Sequence, residues 1–287
     1  MQTIEIINKV TKLFNLHDWE IDNYGSFGRF CDALSFLSVT QQDCLLDISR
    51  NFLKVNPENY LYYTKLAIAE IEIEKIESLT KIYVLPLNVV EQKIESMKPI
   101  EEREKISRSS DGIAYFFNDS DLQDNPKFRN KKIYVTYSLE GLPKNFNTSK
   151  SLLLLVDDFI GSGETASRCI DYLINKSRYD VNKISILSLV SQRDGVERIR
   201  KIGVEVYCSE VRNKGITDNY SSPKKDEFIT LMKNIEDIIK VDDKYRFGYN
   251  KSEALVKMIR TPNNTFPVYW LKSRIDDGRN FTPPFPR

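Results

Sequence analysis

Histidine is almost missing: the 287-residue chain carries one, His17. It precedes the region that reads as the main core, which excludes a histidine-based triad. Cysteine is sparse as well. Cys31, Cys44, Cys169 and Cys208 are widely spaced and form no C-x-x-C pair. The usual zinc and dithiol patterns are therefore missing, and buried free thiols in a reducing compartment are expected. No apolar run approaches the ~18 residues of a membrane helix. The first residues show no basic-then-apolar leader. A cytoplasmic protein with no membrane attachment is expected. An excess of one charge is lacking too, with 42 basic against 41 acidic residues. No overall field draws the molecule to nucleic acid or anionic lipid. Short clusters such as Lys131-Lys132 and Lys224-Lys225 read as solvated surface. There is no internal repeat and no low-complexity tract.

What is present is a globular composition, 41% hydrophobic and 11% aromatic, enough for a sizeable core. The length fits one large domain or two smaller ones. Residues 1–80 read as helical, with no strand signal. Ile4, Ile7, Val10 and Phe14 follow helical spacing, as do Phe27, Phe30, Leu34 and Leu37. Pro57 suits the start of a third helix running to about Ser78. From Lys81 the character changes. Ile82–Pro86, Ile133–Tyr137, Leu152–Val156, Ile184–Val190 and Val204–Tyr207 are short, apolar and β-rich. Helical segments at Ser110–Phe117, Thr165–Asn175 and Asp194–Lys201 separate several of them. Continuous apolar strands alternating with helices predict a parallel sheet covered on both faces, an α/β fold of Rossmann-like kind. Further helices are expected over Lys224–Lys240 and around Ser252–Ile259. The proline- and aromatic-rich end reads as an extended segment pinned to the surface. Three regions follow: 1–80 helical, 81–245 α/β core, and 246–287 a C-terminal extension packed on the core.

The stretch richest in chemical meaning is Leu152–Thr165, LLLLVDDFIGSGET. An apolar strand ends in Asp157 and Asp158. A glycine loop, Gly161-Ser162-Gly163, leads through Glu164 to Thr165 at a helix start. Glycines permit positive φ and let backbone amides form an anion nest. The helix dipole adds attraction for phosphate. The two acids can accept hydrogen bonds from vicinal hydroxyls or hold the water shell of Mg²⁺. A turn followed by a helix cap is the bland alternative. A dinucleotide fingerprint fits less well, because two acids intervene where a pyrophosphate would lie. The Walker pattern fails for want of Gly-Lys-Ser/Thr.

The string Leu153–Thr165 resembles the PRPP (phosphoribosyl pyrophosphate) motif of type I phosphoribosyltransferases. Phe247-Gly248-Tyr249, Thr261–Pro267 and the terminal Pro-Phe-Pro-Arg resemble the phosphoribosyltransferase-like family of bacterial conflict systems, PRTase-CE. The resemblance implies the type I phosphoribosyltransferase fold and an effector role in anti-phage defence, in some cases beside a retron reverse transcriptase. It assigns Asp157 and Asp158 to the ribose hydroxyls, and through them indirectly to Mg²⁺ brought with PRPP, as the candidate catalytic pair. It assigns Gly161, Ser162, Gly163, Glu164 and Thr165 to the 5′-phosphate. A pyrophosphate loop should follow the first core strand. The candidates are Lys105, Ser107, Arg108, Ser109 and Ser110, which alternatively form a polar surface loop. Asn263 and Asn264 are candidates for reading a base or acceptor, or for a structural Asx turn. The ligand is then PRPP, a related ribosyl phosphate or a nucleotide. The protein is either a pentosyl-transferring or nucleotide-consuming enzyme, or a non-catalytic sensor or scaffold. Its N-terminal helices would dock a reverse transcriptase or a nucleic-acid-containing complex.

Overall fold

The computed structural model describes residues 2–22, 24–103, 106 and 108–287. Three helices open the chain: α1 (Gln2–Leu16), α2 (Ser26–Ser35) and α3 (Val39–Ser49). On α1 the expected stripe is displaced, with Ile4 and Ile7 exposed and Ile6, Val10, Leu13 and Phe14 buried. Both series fit the helical period. Phe14, common to both series, packs edge-on against the rings of Phe27 and Phe30 at 5.2 and 6.0 Å. The α2 residues Phe27, Phe30 and Leu34 are buried as expected, as is Leu37 just beyond it. A capping box starts α3: Ser38 Oγ accepts from the Gln41 amide, and Gln41 Oε1 accepts from the Ser38 amide.

A short strand, β1 (Leu53–Lys54), then forms where none is expected, because its partner lies near the other end of the chain. The helix expected from Pro57 to Ser78 is broken into a 3₁₀ turn at Pro57–Asn59, α4 (Tyr60–Ala69) and α5 (Ile73–Ile76). Lys127 Nζ donates to the carbonyls of Ala69 and Ile71, a helix cap supplied from a remote loop. Next come β2 (Lys81–Pro86), α6 (Leu87–Ser96), α7 (Ser109–Phe116), α8 (Ser120–Gln123), β3 (Lys132–Val135) and β4 (Ser151–Ile160). After them lie α9 (Glu164–Asn175), β5 (Ile184–Gln192), α10 (Arg193–Arg200), β6 (Glu205–Arg212) and α11 (Lys224–Ile238). The rest is extended chain with the short strands β7 (Val256–Lys257), β8 (Ser273–Arg274) and β9 (Asn280–Phe281). No helix forms around Ser252–Ile259. Instead β7 pairs in parallel with β1, and Lys251 and Glu253 hold φ of 52° and 48°, outside the right-handed helical region. No helix among the described residues is long and apolar enough to cross a membrane.

Contacts divide the chain into two units, residues 1–55 with 213–287, and residues 56–212. This differs from the boundaries expected at 80 and 245. Helix α4 belongs with the sheet because it covers β5 and β6, and α11 belongs with the N-terminal helices because it packs on α3. The first unit is built on Phe14, Phe30, Leu45, Ile48, Met232, Tyr269 and Phe285. Its C-terminal segment is extended as expected, but pinned in the core rather than on the surface: Tyr269 is fully buried, and its hydroxyl meets Ser49 Oγ at 2.7 Å.

Glu236 of α11 is buried in this unit, where its Oε1 accepts the Phe247 amide at 2.8 Å. Burial pushes its carboxyl up to about 7, only partly offset by that amide and by Arg246. A carboxyl whose folded pKa is raised stabilises the fold fully at low pH. That contribution is lost as pH climbs from the unfolded value of 4.5 through about 7. Glu236→Gln keeps the acceptor and removes the titration. Urea unfolding near pH 8 should show the variant about 3 kcal/mol more stable than wild type, with the difference vanishing below pH ~4.5.

The second unit is a five-stranded parallel sheet in the order β3-β2-β4-β5-β6. Its strands are the apolar runs of the sequence. The inner strands β2, β4 and β5 are buried because α6, α9 and α10 cover one face and α4 and α7 the other, while the edge strands β3 and β6 are partly exposed. This is the α/β, Rossmann-like architecture expected. Strand β4 runs beyond the expected Val156 to Ile160, and β3 stops at Val135.

Candidate functional site

The strand order reverses beside β2: β3 lies on one side of it, and β4, β5 and β6 build outward on the other. Open α/β sheets bind ligands at such a switch point, beyond the carboxyl ends of the strands. Asp157 and Asp158 stand there, within β4 and in register with β5 through Asp157↔Ser188 and Phe159↔Val190. Successive side chains of a strand leave on opposite faces, and the neighbours of the two acids differ accordingly. Asp158, 6% exposed, meets α4 and α7. Tyr60 Oη donates to its Oδ2 at 3.4 Å, and Ser109 hydrogen-bonds to it as well. Asp157 feels Glu91 of α6, and its Oδ1 accepts the Asp158 amide at 2.9 Å. Burial first, and then the charge of the neighbouring Asp158, hold Asp157 well above the ordinary carboxylate range. Burial raises Asp158 too, against the pull of Ser109, Asp157 and Tyr60. A donor-bearing ligand or a cation at these acids would offset the cost of their ionisation.

The loop after β4 turns on Gly163, which holds φ 74° and caps α9. The Ser167 amide donates to Gly163 O at 2.9 Å as the first helical bond. The amides of the first turn therefore sit at the positive end of the helix. Ser162 is half-buried, and Glu164 and Thr165 are exposed. The expected residues Asp157, Asp158, Gly161, Ser162, Gly163, Glu164 and Thr165 thus form one continuous rim.

Gly163 takes the positive φ expected of it and does a second job: its missing Cβ leaves room for α10. A Cβ there would stand 2.8 Å from Gly195 O. Conversely, a Cβ on Gly195 would stand 2.2 Å from Gly161 O and 3.1 Å from Gly163 N. The first turn of α10 is pressed onto the loop, backbone to backbone. Gly195 is a site residue that sequence reasoning misses. Its only trace is a glycine one turn after a strand, a weak signal.

Of the pyrophosphate candidates, Lys105 and Ser107 lie outside the described residues. Arg108 is exposed and caps α7. Ser109 reaches Asp158, and buried Ser110 accepts the Asn88 amide at 3.4 Å. The start of α7 therefore does reach the acids, but it is not a loop following the first strand of the sheet. Strand β2 passes from Pro86 straight into α6. Asn88, buried in the first turn of α6 and not foreseen, donates from Nδ2 to Asp111 Oδ1 at 2.9 Å and ties the starts of α6 and α7 together.

Asn263 and Asn264 belong to the other unit. Asn264 Nδ2 donates to Tyr249 O at 3.3 Å and to Ser252 Oγ at 3.1 Å, and Asn263 O accepts the Tyr249 amide at 2.8 Å. These bonds are those of a structural turn. Among the described residues no three of His, Cys, Asp and Glu converge to hold a metal ion. The Asp157–Asp158 pair still fits Mg²⁺, which keeps most of its water and is usually held by one or two carboxylates with ligand phosphates.

Among curated proteins no sequence matches this chain. Solved structures do. The chain is similar to orotate phosphoribosyltransferase from Aeropyrum pernix, with 14% identity, a TM-score of 0.33, and 54% of this chain covered against 72% of that one. It is similar to the AQ2163 protein from Aquifex aeolicus, with 14% identity, a TM-score of 0.30 and the same coverage. It is also similar to a hypothetical protein from Neisseria gonorrhoeae with bound ppGpp, with 11% identity, a TM-score of 0.30, and 64% of this chain covered against 97% of that one. The PRTase-CE family profile matches residues 93–287. That span holds the acids, the glycine loop and the C-terminal segments together, and the chain belongs to the PRTase-CE family.

Proposed function

We propose that the chain binds a ribosyl 5′-phosphate, PRPP or a nucleotide, and acts on it as a phosphoribosyltransferase-like effector in bacterial anti-phage defence. The observation that carries this reading is the succession from half-buried Asp157 and buried Asp158 through a positive-φ glycine to the helix that starts at Glu164. Asp157 and Asp158 would accept hydrogen bonds from the ribose 2′ and 3′ hydroxyls. The amides at the start of α9 would fix the phosphate. Held at both ends, the sugar presents C1 for bond cleavage with oxocarbenium character. Mg²⁺ brought with a diphosphate would neutralise the leaving group. The one histidine is stacked on Trp19 in the other unit, so the site's contribution is positioning and charge complementarity.

A second reading, a sensor that binds a nucleotide without turnover, is favoured by the direct passage of β2 into α6 and by Asp111 at the start of α7. An acid there disfavours a diphosphate. Incubating the protein with PRPP, Mg²⁺ and a nucleotide pool should release pyrophosphate or yield a new ribosylated product. Saturable binding with no product would replace the enzyme reading by the sensor. No binding of PRPP, ribose 5-phosphate or nucleotides would remove both.

A further inference from the structure

Tyr60 stands apart from the other residues that meet the acids. The family profile begins at residue 93, and Tyr60 lies well before it, ahead of the first strand of the sheet. Pro57 starts a 3₁₀ turn that ends at Asn59, and Tyr60 opens α4 directly behind it. Helix α4 packs on β5 and β6 and against α7. Its buried residues are Tyr60, Thr64, Ala67 and Ile68, one face of a helix by their spacing. Tyr60 is 3% exposed, so packing fixes its ring.

Packing does not account for its hydroxyl. A phenylalanine would fill the same space without burying an oxygen, and a buried hydroxyl costs free energy unless it is bonded. Here it donates to Asp158 Oδ2 at 3.4 Å. Asp158 is itself 6% exposed, and Ser109 at the start of α7 bonds to it as well. Its carboxyl is thus held from two helices that cover the same face of the sheet. A carboxylate has about four lone-pair sites, so two protein donors leave places for a ligand hydroxyl. They also fix the plane of the group, and with it the direction in which those places point. The O···O distance exceeds the ~2.7–2.8 Å of a well-formed O–H···O bond. Hydrogen bonds in sites of this kind often tighten once a ligand is bound.

We propose that Tyr60 is a positioning residue of the ribosyl site: through Asp158 Oδ2 it sets the orientation in which Asp158 meets a sugar hydroxyl. The inference rests on the reading that Asp157 and Asp158 grip a ribose, and adds that a residue from ahead of the sheet completes that grip. Calorimetry on the full chain tests it, with ribose 5-phosphate and inorganic phosphate as probes. Inorganic phosphate reports the glycine loop alone, whereas ribose 5-phosphate reports the loop and the acids together. Tyr60→Phe keeps the ring and should weaken ribose 5-phosphate ~5- to 10-fold, while inorganic phosphate stays within ~2-fold of wild type. Asp158→Ala removes the group through which Tyr60 acts. In that background Tyr60→Phe should change the affinity for ribose 5-phosphate by less than ~2-fold. A purely structural tyrosine would give the same loss in both backgrounds, or a loss shared by both probes, and either result would overturn the proposal. So would an unchanged affinity of Tyr60→Phe for a ribose 5-phosphate that wild type binds. Wild-type protein that gains nothing from the ribose over inorganic phosphate would remove the ribosyl reading and this inference with it, a result that shows before any substitution is made.

Discussion

Replacing Asp157 and Asp158 together by asparagine should cost the protein its ribosyl phosphate and at the same time make it more stable. Each carboxylate is assigned a charge-assisted hydrogen bond to a sugar hydroxyl, and each such bond is worth about 1.5–3 kcal/mol. An amide oxygen still accepts, so the loss is partial at each position. A combined fall of about 2–3 kcal/mol, or roughly 30- to 150-fold in Kd for ribose 5-phosphate by calorimetry, is the expected size. Stability moves the other way. Asp158 is buried and Asp157 half-buried, and desolvation leads the shift at both. Both have pKa values raised above those of the unfolded chain, so the folded state holds their protons more tightly. The fold is then most favoured at low pH and loses stability as pH rises past the unfolded carboxylate range. Asparagine removes that loss while keeping an acceptor for Tyr60 and Ser109. The double variant should gain on the order of 1 kcal/mol near pH 8, less near pH 5, in chemical denaturation. A variant that binds ribose 5-phosphate as wild type does would remove the sugar from this site. One that loses both binding and stability would show a structural pair instead.

The sequence exposes most of the sheet and little of what surrounds it. The inner strands β2, β4 and β5 were legible because they are buried on both faces and carry apolar runs such as Leu152–Val156, and the part-exposed edge strands β3 and β6 were legible from short β-rich runs. The acids and the glycine loop were legible because a single continuous segment carries them. Features that depend on two distant segments were not. Strand β1 exists only because Val256 and Lys257 come alongside it. The end of α4 is set by Lys127 from beyond α8. Tyr60, which reaches Asp158, lies in the stretch expected to belong to a separate helical region, and the same long-range folding hides it. Asn264 shows the converse. Its residue type permits either a base contact or a turn, and Tyr249 and Ser252 decide in favour of the turn.

Gly195→Ala isolates the part of the site that no local signal reveals. In an ordinary helix the change would help, since glycine costs about 1 kcal/mol against alanine there. Gly112 of α7 is the reference: a Cβ added to it meets nothing within 4 Å, so Gly112→Ala should stabilise the protein by roughly 0.5–1 kcal/mol. At Gly195 the same methyl group would fall 2.2 Å from Gly161 O and 3.1 Å from Gly163 N. Both obstacles are backbone, and neither can swing aside as a side chain would. Gly163 cannot easily take up the strain either, because its φ of 74° and its own approach to Gly195 O allow it little freedom. The loop from Gly161 to Gly163 must move away from α10. Overpacking of this kind costs about 1–3 kcal/mol against a helix gain of about 1 kcal/mol, so a net loss of up to about 2 kcal/mol is expected in urea unfolding. The sharper consequence is functional. The amides at the start of α9 are aimed by that loop, and a shift of a few tenths of an ångström spoils several phosphate hydrogen bonds together. Affinity for ribose 5-phosphate should fall ~10-fold or more. A variant with lowered stability but full affinity for ribose 5-phosphate would mean that the phosphate rests somewhere other than on this loop.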